Sequence, residues 1–425
     1  MVDDRIASYR VDEERLQKDL HALAEIGSTG DGGVHRPALS EAHLLARQWL
    51  RQRIQASGLE FRMDGAGNHS AFLACGGPQS PTLLLGSHLD SVPFGGRFDG
   101  ALGVVAALEV LRVIKEAGMR LPVHLEAIDF TDEEGTLVGL LGSSALAGKL
   151  TAQDLRAPRG GRQALLAGLQ RAGLSEEGLL AAHRQEKPAG YLELHIEQGP
   201  RLAQAGVKIG VVSTIVGIGS YQITFHGRAD HAGTTPMQDR QDAAQGACGF
   251  TLALRQLLVS TFPDCVGNVG SMQFLPGAFN IVPEKATLSL EYRAPEALTF
   301  KRLELSCLEL ARLQAERDGL GVEFSFLGAH TPQPMSPLIQ EVIFEAAQTL
   351  GLSATSLPSG AGHDAQSLAS LCPSGMIFVP SQQGASHSPR EFTRSEDCRN
   401  GANVLLQSAL RLAYRLETKE TGEEN

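Results

Sequence analysis

The stretch from residue 83 to residue 130 decides the fold class. It reads LLLGSHLDSVPFGGRFDG (83–100), ALGVVAALEVLRVIKEAG (101–118) and, four residues later, VHLEAIDF (123–130). The first segment opens on a short apolar run, the second predicts a helix over Val104–Lys115, and the third predicts a buried strand. Strand, helix and strand in alternation are typical of βαβ units, so we predict a parallel sheet.

Residues outside this stretch extend the same pattern in both directions. Apolar residues at helical spacing predict helices over Asp12–Ile26 and Glu41–Ser57. Towards the other end, Met376–Val379 is typical of a buried strand, and a helix is expected over Ser395–Leu416. Both ends of the chain therefore belong to the part that contains the parallel sheet.

The middle of the chain, residues 213–330, has a different pattern. Apolar and polar residues alternate over 221–225 and 286–292, which predicts two half-exposed strands. Helical stretches follow over 243–258 and 295–318. A unit of this kind suits one sheet with helices on one face.

We therefore predict an α/β protein with an inserted domain. The larger domain, over residues 1–212 and 331–425, has a mostly parallel twisted sheet flanked by helices. The inserted smaller α+β domain covers residues 213–330, and hinges are expected near Ser213–Gly217 and Ala329–Pro334.

Composition and charge exclude several classes of protein. The 425 residues are too many for one small core, so about two domains are expected. Lys plus Arg number 37 against 48 Asp plus Glu, a net charge of -11, which provides no extended basic surface for a phosphate backbone. We expect no nucleic-acid partner.

The chain also lacks the signals of a secreted or membrane protein. Its start is acidic and has no apolar segment of the secretory type. The most apolar stretch, Ala101–Ile114, contains Glu109 and Arg112 and is too short for a membrane span. Six cysteines are scattered singly, which suits free thiols in a reducing compartment. We expect a cytoplasmic protein with no membrane partner and no disulfides.

Imidazole and carboxylate side chains follow three of the predicted strands. They are His88 and Asp90 after the first strand and Glu133 and Glu134 after the second, and a third apolar run, Tyr191–Leu194, leads to His195. Asp99 lies between the first two strands, where the helix opens. Parallel sheets present their chemistry at the carboxyl ends of strands. Imidazole and carboxylate together suit zinc, cobalt, manganese or nickel, and clustered carboxylates can bridge two ions.

Each of these residues alone also has an ordinary structural interpretation. A histidine at a strand end is commonly a hydrogen-bonded loop residue, Asp99 could be a helix N-cap, and Glu133-Glu134 could form a solvated turn. Their occurrence at successive strand ends favours a metal site. No H-E-x-x-H, Walker A or G-x-S-x-G motif is present, so phosphate binding and serine hydrolysis lose support.

A series of ordered motifs carries a family resemblance. They are GSHLDSVPFGGRFDG (86–100), DEEG (132–135), ELHIEQGP (193–200), ADHAGTTPM (229–237), FNIVP (279–283), SGAGHDA (359–365) and GASHSP (384–389). Over nearly its whole length the chain resembles the amidase (hydantoinase/carbamoylase) branch of the M20 metallopeptidase superfamily. That branch includes N-carbamoyl-L-amino-acid hydrolases, β-ureidopropionases and allantoate amidohydrolases.

The resemblance implies a site for two divalent metal ions. The implied ligands are His88 and His195 for one ion, Glu134 and His387 for the other, and Asp99 as the bridge between them. It implies that Asp90 orients His88. Zinc is the expected metal, with manganese, cobalt or nickel as replacements.

The resemblance also implies two catalytic residues. Glu133 resembles the general base, which takes a proton from the attacking water and passes it to the leaving nitrogen. His231 resembles a lid histidine that polarises the scissile carbonyl oxygen. The peptidase branch typically has Asp at the position of His195, so this histidine favours the amidase branch.

The implied substrate contacts are Gln198, Asn280, Arg293 and His363, with Arg293 as a bidentate partner of a substrate carboxylate. For two of them a structural interpretation stays open: Arg293 could be a salt-bridged strand residue and Asn280 a turn residue.

The implied reaction is hydrolysis of the C–N bond of an N-carbamoyl or ureido group on a small carboxylic acid. An N-carbamoyl amino acid would give the amino acid, carbon dioxide and ammonia. The alternatives are an allantoate amidohydrolase, then an aminoacylase or dipeptidase, and outside the enzymes a metal-free binding protein of the same fold. The segment ADHAGTTPM resembles the family's dimerisation lid, which implies a homodimer with shared active sites.

Two positions depart from the family pattern. Thr136 and Leu137 follow Glu134-Gly135 where family members usually have Ser-Arg-Phe, which leaves substrate preference less defined than reaction type. Glu291 stands two residues before Arg293 where Asp is common, and we expect little consequence from it.

Overall fold

The computed structural model describes residues 6–420 of the chain. These residues form two compact units. The smaller unit consists of Thr214–Pro334 together with Pro358–Gly360, and the other described residues form the larger unit.

The strands are numbered in chain order. They are β1 Glu60–Met63, β2 His69–Leu73, β3 Thr82–His88, β4 His124–Phe130, β5 Gly190–Ile196, β6 Ile209–Ile215, β7 Gly217–His226, β8 Val266–Leu275, β9 Lys285–Ala294, β10 Gly321–His330, β11 Gln333–Pro334, β12 Ala354–Ser359 and β13 Ser374–Val379.

The α-helices are numbered in the same way. They are α1 Glu13–Ala24, α2 Glu41–Ala56, α3 Ala101–Glu116, α4 Leu141–Leu146, α5 Ala152–Arg156, α6 Arg162–Ala172, α7 Glu176–Ala181, α8 Arg201–Ala205, α9 Ala243–Thr261, α10 Ala297–Arg317, α11 Pro337–Thr349, α12 Asp364–Leu368 and α13 Ser395–Glu420.

The larger sheet has parallel pairing at its centre. Within the described residues nine strands form it in the order β1-β2-β4-β3-β5-β13-β6-β11, with β12 paired to β6. The neighbours β4, β3, β5 and β13 are parallel, and the flanking pairs are antiparallel. Every residue of β3, β5 and β13 is buried, which explains their nearly continuous apolar sequences.

Helix α3 packs against the central strands of this sheet. All its residues from Ala101 to Ile114 are buried, including Glu109 and Arg112, and its apolar side chains join one core cluster with those of the sheet and α13. A helix that is apolar on every side is one that lies inside a protein. Because α3 follows directly on Asp99 and Gly100, its burial anchors the loop that carries Asp99.

The smaller unit contains an antiparallel sheet in the order β10-β7-β9-β8. Buried and half-buried residues alternate along β9, and the buried set contributes Ala286, Leu288 and Leu290 to the core. Helices α9 and α10 add their apolar side chains to that same core. This period of two gives the sheet one apolar face, which the two helices cover.

The predicted fold class is confirmed, with parallel pairing concentrated in the four central strands. The sequence analysis missed β8 and β10, which are the two edges of the smaller sheet. Every residue of both strands is exposed or half-exposed, and the apolar alternation of β10 is confined to Val322, Phe324 and Phe326. Among residues 6–420 no helix combines the length and the apolar character that a membrane crossing requires.

Candidate metal centre

Three adjacent strands end at the same edge of the larger sheet. His88 is the last residue of β3, His195 is the next-to-last residue of β5, and Glu133 and Glu134 lie just after β4. Since β3 pairs with both β4 and β5 in parallel, the carboxyl ends of the three strands are neighbours. The loop before α3 brings Asp99 to this edge.

These side chains form two groups that share one carboxylate. The ligand atoms of His88, Asp99 and His195 all lie within 4.8 Å of one another, and so do those of Asp99, Glu134 and His387. Asp99 Oδ1 is 3.5 Å from His88 Nε2 and 3.1 Å from His195 Nε2, whereas Asp99 Oδ2 is 3.6 Å from His387 Nε2. The two oxygens of Asp99 therefore face different groups.

The histidine rings of the first group have defined orientations. His88 Nδ1 contacts the backbone carbonyl of Asp90 at 3.0 Å, and His195 Nδ1 contacts the carbonyl of Ile196 at 2.8 Å. A carbonyl can only accept, so both rings carry a proton on Nδ1 and present Nε2 on the side of Asp99. His88 Nε2 is buried and has no hydrogen-bond partner among the described residues, as expected of a ligand atom.

Asp90 makes a different contact from the one its family role implies. Its carboxylate is 3.8 Å from His88 Nδ1, farther away than its own backbone carbonyl. The carboxylate oxygens instead accept the backbone N–H groups of Glu133 and Glu134, each at 3.2 Å. Asp90 thus orients His88 through its main chain and fixes the acidic pair through its side chain.

The close packing of residue 100 against His88 requires glycine at this position. Its φ of +63° lies in the left-handed region, and a Cβ there would come within 2.4 Å of His88 Nε2. Gly100 is also the N-cap of α3, so Asp99 is not the capping residue. The Asp99 carboxylate is left to face the histidines.

Glu133 and Glu134 do not form a solvated turn. Their side chains are only 9% and 6% exposed, and Glu133 Oε2 lies 3.5 Å from His88 Nε2. Burial raises the pKa of Glu133 well above its usual range, and the neighbouring carboxylates of Asp364 and Glu134 raise it further. Both effects favour the protonated form of Glu133.

The charges of the cluster fit a site for cations. Burial raises the pKa of Glu134 well above its usual range, and the charge of Asp99 adds to this. Burial acts on Asp99 in the same direction, but His195 and His88 outweigh it and hold its pKa well below the usual range. Buried carboxylates in excess over their positive partners are costly, and divalent cations would supply the missing charge.

Two predicted substrate residues lie beside these groups. The Gln198 amide donates to Asp99 Oδ2 at 2.7 Å and lies 3.3 Å from His387 Nε2. The buried His363 ring packs edge-on against His195, with the ring centroids 4.5 Å apart. Burial lowers the pKa of His363 well below its usual range, and His195 lowers it further.

The other predicted residues, His231, Asn280 and Arg293, belong to the smaller unit. His231 is exposed, and its Nδ1 accepts the backbone N–H groups of Gly233 (3.0 Å) and Thr234 (3.2 Å). Its proton is therefore on Nε2, which can donate. The segment around His231 pairs with the one around Asn280, since the amide of Ala232 donates to the Asn280 carbonyl at 3.0 Å.

Arg293 forms a salt bridge with Glu291, as the structural interpretation of this residue predicted. Its Nε and Nη2 both donate to Glu291 Oε1, at 2.9 and 2.8 Å, and its Nη1 donates to the Gly360 carbonyl at 2.7 Å. The pair is open to solvent, with the Arg293 side chain 30% exposed. Glu291, from which the sequence analysis expected little consequence, is thus the direct partner of the predicted carboxylate-binding residue.

Thr136 and Leu137 stand where family members usually have serine and arginine, and both side chains contact the protein interior. The Thr136 hydroxyl donates to Asp132 Oδ1 at 3.3 Å and accepts the backbone N–H of Ala38 at 3.1 Å. Leu137 is buried in a small apolar cluster. Neither side chain stands in for the missing arginine.

Ser386 and Glu391 are two polar residues that the sequence analysis did not single out. The Ser386 hydroxyl lies 2.9 Å from Asp99 Oδ2 and 2.9 Å from Glu391 Oε2. Burial, together with Asp99, raises the pKa of Glu391 to about 7. The available signals were that Ser386 lies within GASHSP, that Glu391 follows this motif by two residues, and that Gly95-Gly96 is a double glycine.

Comparisons with known proteins agree with this geometry. The sequence profile of peptidase family M20/M25/M40 matches residues 84–411. The chain is 36% identical over 403 residues to an N-carbamoyl-L-amino acid amidohydrolase of Geobacillus stearothermophilus, covering 94% of this chain and 98% of the relative. It is 32% identical over 400 residues to an allantoate amidohydrolase of Bacillus subtilis, covering 92% and 96%.

A solved structure shows the same fold over the whole length. It is an amidase of the hydantoinase/carbamoylase family from Burkholderia multivorans, with a TM-score of 0.87, 31% identity, and coverage of 96% of this chain and 99% of that one. The chain therefore belongs to peptidase family M20/M25/M40, in its hydantoinase/carbamoylase amidase branch.

Proposed function

We propose that this M20 amidohydrolase hydrolyses the C–N bond of N-carbamoyl amino acids. One water and one N-carbamoyl amino acid give the free amino acid, carbon dioxide and ammonia. The observation that carries the proposal is the pair of ligand groups that share Asp99, with the buried Glu133 carboxylate beside them. A metal site with an adjacent proton acceptor is the arrangement that amide hydrolysis needs.

The residues present fit two divalent ions. His88 and His195 would hold one ion, Glu134 and His387 the other, and Asp99 both, with zinc as the first candidate and manganese, cobalt or nickel as replacements. Bound there, the ions would polarise the carbamoyl oxygen and lower the pKa of water towards about 7.

Glu133 transfers the proton in this proposal. Its raised pKa allows the carboxylate to accept a proton from the attacking water and to give it to the leaving nitrogen. Asp90 serves this role indirectly, because it holds the backbone N–H groups of Glu133 and Glu134. The side chain of Glu133 therefore starts each cycle in a fixed place.

The smaller unit would supply three of the proposed substrate contacts, His231, Asn280 and Arg293. His231 carries its proton on Nε2 and can donate it to an oxygen that becomes negative during the reaction. Arg293 binds the substrate carboxylate once that carboxylate replaces Glu291 as its partner. Gln198, Asn280 and His363 complete the proposed binding set.

A homodimer in the cytoplasm is the proposed state of the enzyme. The smaller unit exposes apolar side chains at a spacing of seven, Leu252 and Val259 on α9 and Leu298 and Leu305 on α10. An exposed apolar helix face of this kind favours association with a second copy. The six cysteines are free thiols, which suits a reducing compartment.

A substrate panel on protein reconstituted with one metal at a time tests the function. We expect N-carbamoyl-L-amino acids to release ammonia and amino acid in equal amounts, and the Glu133→Gln variant to release both at least about 10²-fold more slowly. Faster turnover of allantoate would make the chain an allantoate amidohydrolase, which the departures at Thr136 and Leu137 keep as the second candidate. Preference for an N-acyl amino acid or a dipeptide would overturn the proposal, and a protein that binds no ion after reconstitution and turns over no substrate would indicate the metal-free binding protein.

A further inference from the structure

Glu391 lies beneath the loop that carries Asp99. Its residue is 3% exposed, and its Oε1 accepts the backbone N–H groups of Phe98 at 2.8 Å and Asp99 at 3.1 Å. Its Oε2 accepts from the Ser386 hydroxyl at 2.9 Å, and that hydroxyl is equally close to Asp99 Oδ2. One carboxylate thus contacts the main chain of Asp99 directly and its side chain through one serine.

The loop contains a space that the Glu391 carboxylate fills. A Cβ on Gly96 would lie 1.9 Å from Glu391 Cδ and 2.1 Å from each of its carboxylate oxygens. Gly96 is not among the residues with positive φ, so its backbone would accept alanine. Glycine is needed at this position to leave room for the carboxylate.

Folding alone does not account for a buried carboxyl group here. Within the described part of the chain Glu391 has no basic partner in a salt bridge, and all three of its donors are neutral. A buried carboxylate without a counterion costs free energy, and Asp99 brings a second negative charge close to it. Glu391 is also absent from the groups that could ligate an ion directly.

We propose that Glu391 is a positioning residue that fixes Asp99 between the two ligand groups. It joins the loop of Asp99 to the segment 386–391, which carries the ligand residue His387, so both ligands depend on one carboxylate. This inference rests on the proposed two-ion site. Contacts that orient metal ligands typically change metal affinity by about 10- to 100-fold when they are removed.

Cobalt and zinc affinities, measured by titration against a competing chelator, test the role of Glu391 directly. Glu391→Ala should weaken binding by at least about tenfold and alter the visible absorption spectrum of the cobalt protein. Glu391→Gln should stay within about threefold of wild type, because the amide oxygen still accepts both N–H groups and the amide NH₂ can donate to Ser386.

A matched control separates positioning from general loss of stability. Glu109, on α3, is another fully buried carboxylate, which accepts the backbone N–H of Asp12 at 3.0 Å and pairs with Arg15 on α1. Glu109→Gln should lower the melting temperature and leave the metal affinity and the cobalt spectrum unchanged. A metal affinity that falls in both Glu109→Gln and Glu391→Ala would overturn the positioning role.

Gly96 provides a second, independent variant. Gly96→Ala should displace the Glu391 carboxylate and weaken metal binding to a similar extent as Glu391→Ala. Combined with Glu391→Ala it should add little, because the space for the new methyl group is then free. Fully additive losses, or a Glu391→Ala protein that binds both ions as wild type does, would contradict the proposal.

The proposed two-ion site can be tested separately from the role of Glu391. If wild-type protein binds no ion, or if Asp99→Asn and His88→Ala leave its affinity unchanged, the two-ion site is wrong and the inference fails with it. If those variants lose metal and Glu391→Ala does not, only the inference is wrong.

Discussion

The metal centre and the smaller unit differ in how firmly their key side chains are held. In the metal centre each histidine of the first group has an oriented ring, and Asp99 is surrounded by donors from three segments of the chain. In the smaller unit His231 is exposed and Arg293 is paired with Glu291. The contrast fits the proposal of a preformed site for metal ions and of an Arg293 that must exchange Glu291 for the substrate carboxylate.

The largest effect on activity is expected from substitutions of Glu133 and Glu134, and it sharpens this contrast. Glu133→Gln should keep both ions and lower kcat by about 10²- to 10⁴-fold, because only proton transfer is removed. Glu134→Gln should lose metal, because it replaces an anionic ligand with a neutral one. Metal analysis and kinetics on both variants are the measurements, and equal metal loss in the two would break the division of roles.

The next largest effect concerns the assignment of His231 to the site of a second subunit. Glu133→Ala and His231→Ala proteins, each nearly inactive alone, are dissociated and reassembled together. If His231 acts in the partner's site, about half of the dimers are mixed and each has one intact site, so activity should return to about a quarter of wild type. Activity that stays at the level of the single variants, with exchange confirmed by mass, would assign His231 to its own subunit.

A smaller effect is expected at Arg293. Arg293→Lys should raise KM for carboxylated substrates by on the order of tenfold, since an ammonium group cannot make the paired contact of a guanidinium. The bound metal should be unaffected. An uncharged carbamoyl amide should be hydrolysed equally poorly by both proteins, and a large further loss with that analogue would show that Arg293 is structural.

The smallest effect is expected at Glu291, the partner that holds Arg293. Glu291→Gln weakens an exposed ion pair, which contributes at most about 1 kcal/mol, so KM should fall by no more than about fivefold. Titration of KM with one N-carbamoyl amino acid measures this. A higher KM would mean that Glu291 orients Arg293 for the substrate and does not compete with it.

The sequence predicted the centre of the molecule better than its edges. The buried strands β3, β4 and β5 have apolar runs followed directly by His88, Glu133 and His195, so both the sheet and the ligand types could be predicted from local pattern. The exposed edge strands β8 and β10 carry no such pattern.

The contacts that support the ligands could not be predicted in the same way. Glu391 reaches Asp99 across 292 residues of sequence, and no local spacing encodes such a contact. The main-chain contact of Asp90 with His88 is likewise set by loop geometry and not by residue type. Motifs pointed to the proposed ligands, whereas only the fold shows which residues contact them.

The central claim is that Asp99 serves two ions at once in the larger unit. The direct measurement is the number of ions bound per chain, determined by titration and metal analysis of wild-type and Asp99→Asn protein. The shared carboxylate predicts two ions for the wild type and weakened binding of both in the variant. One ion per wild-type chain, or an Asp99→Asn protein that keeps both ions at unchanged affinity, would contradict it.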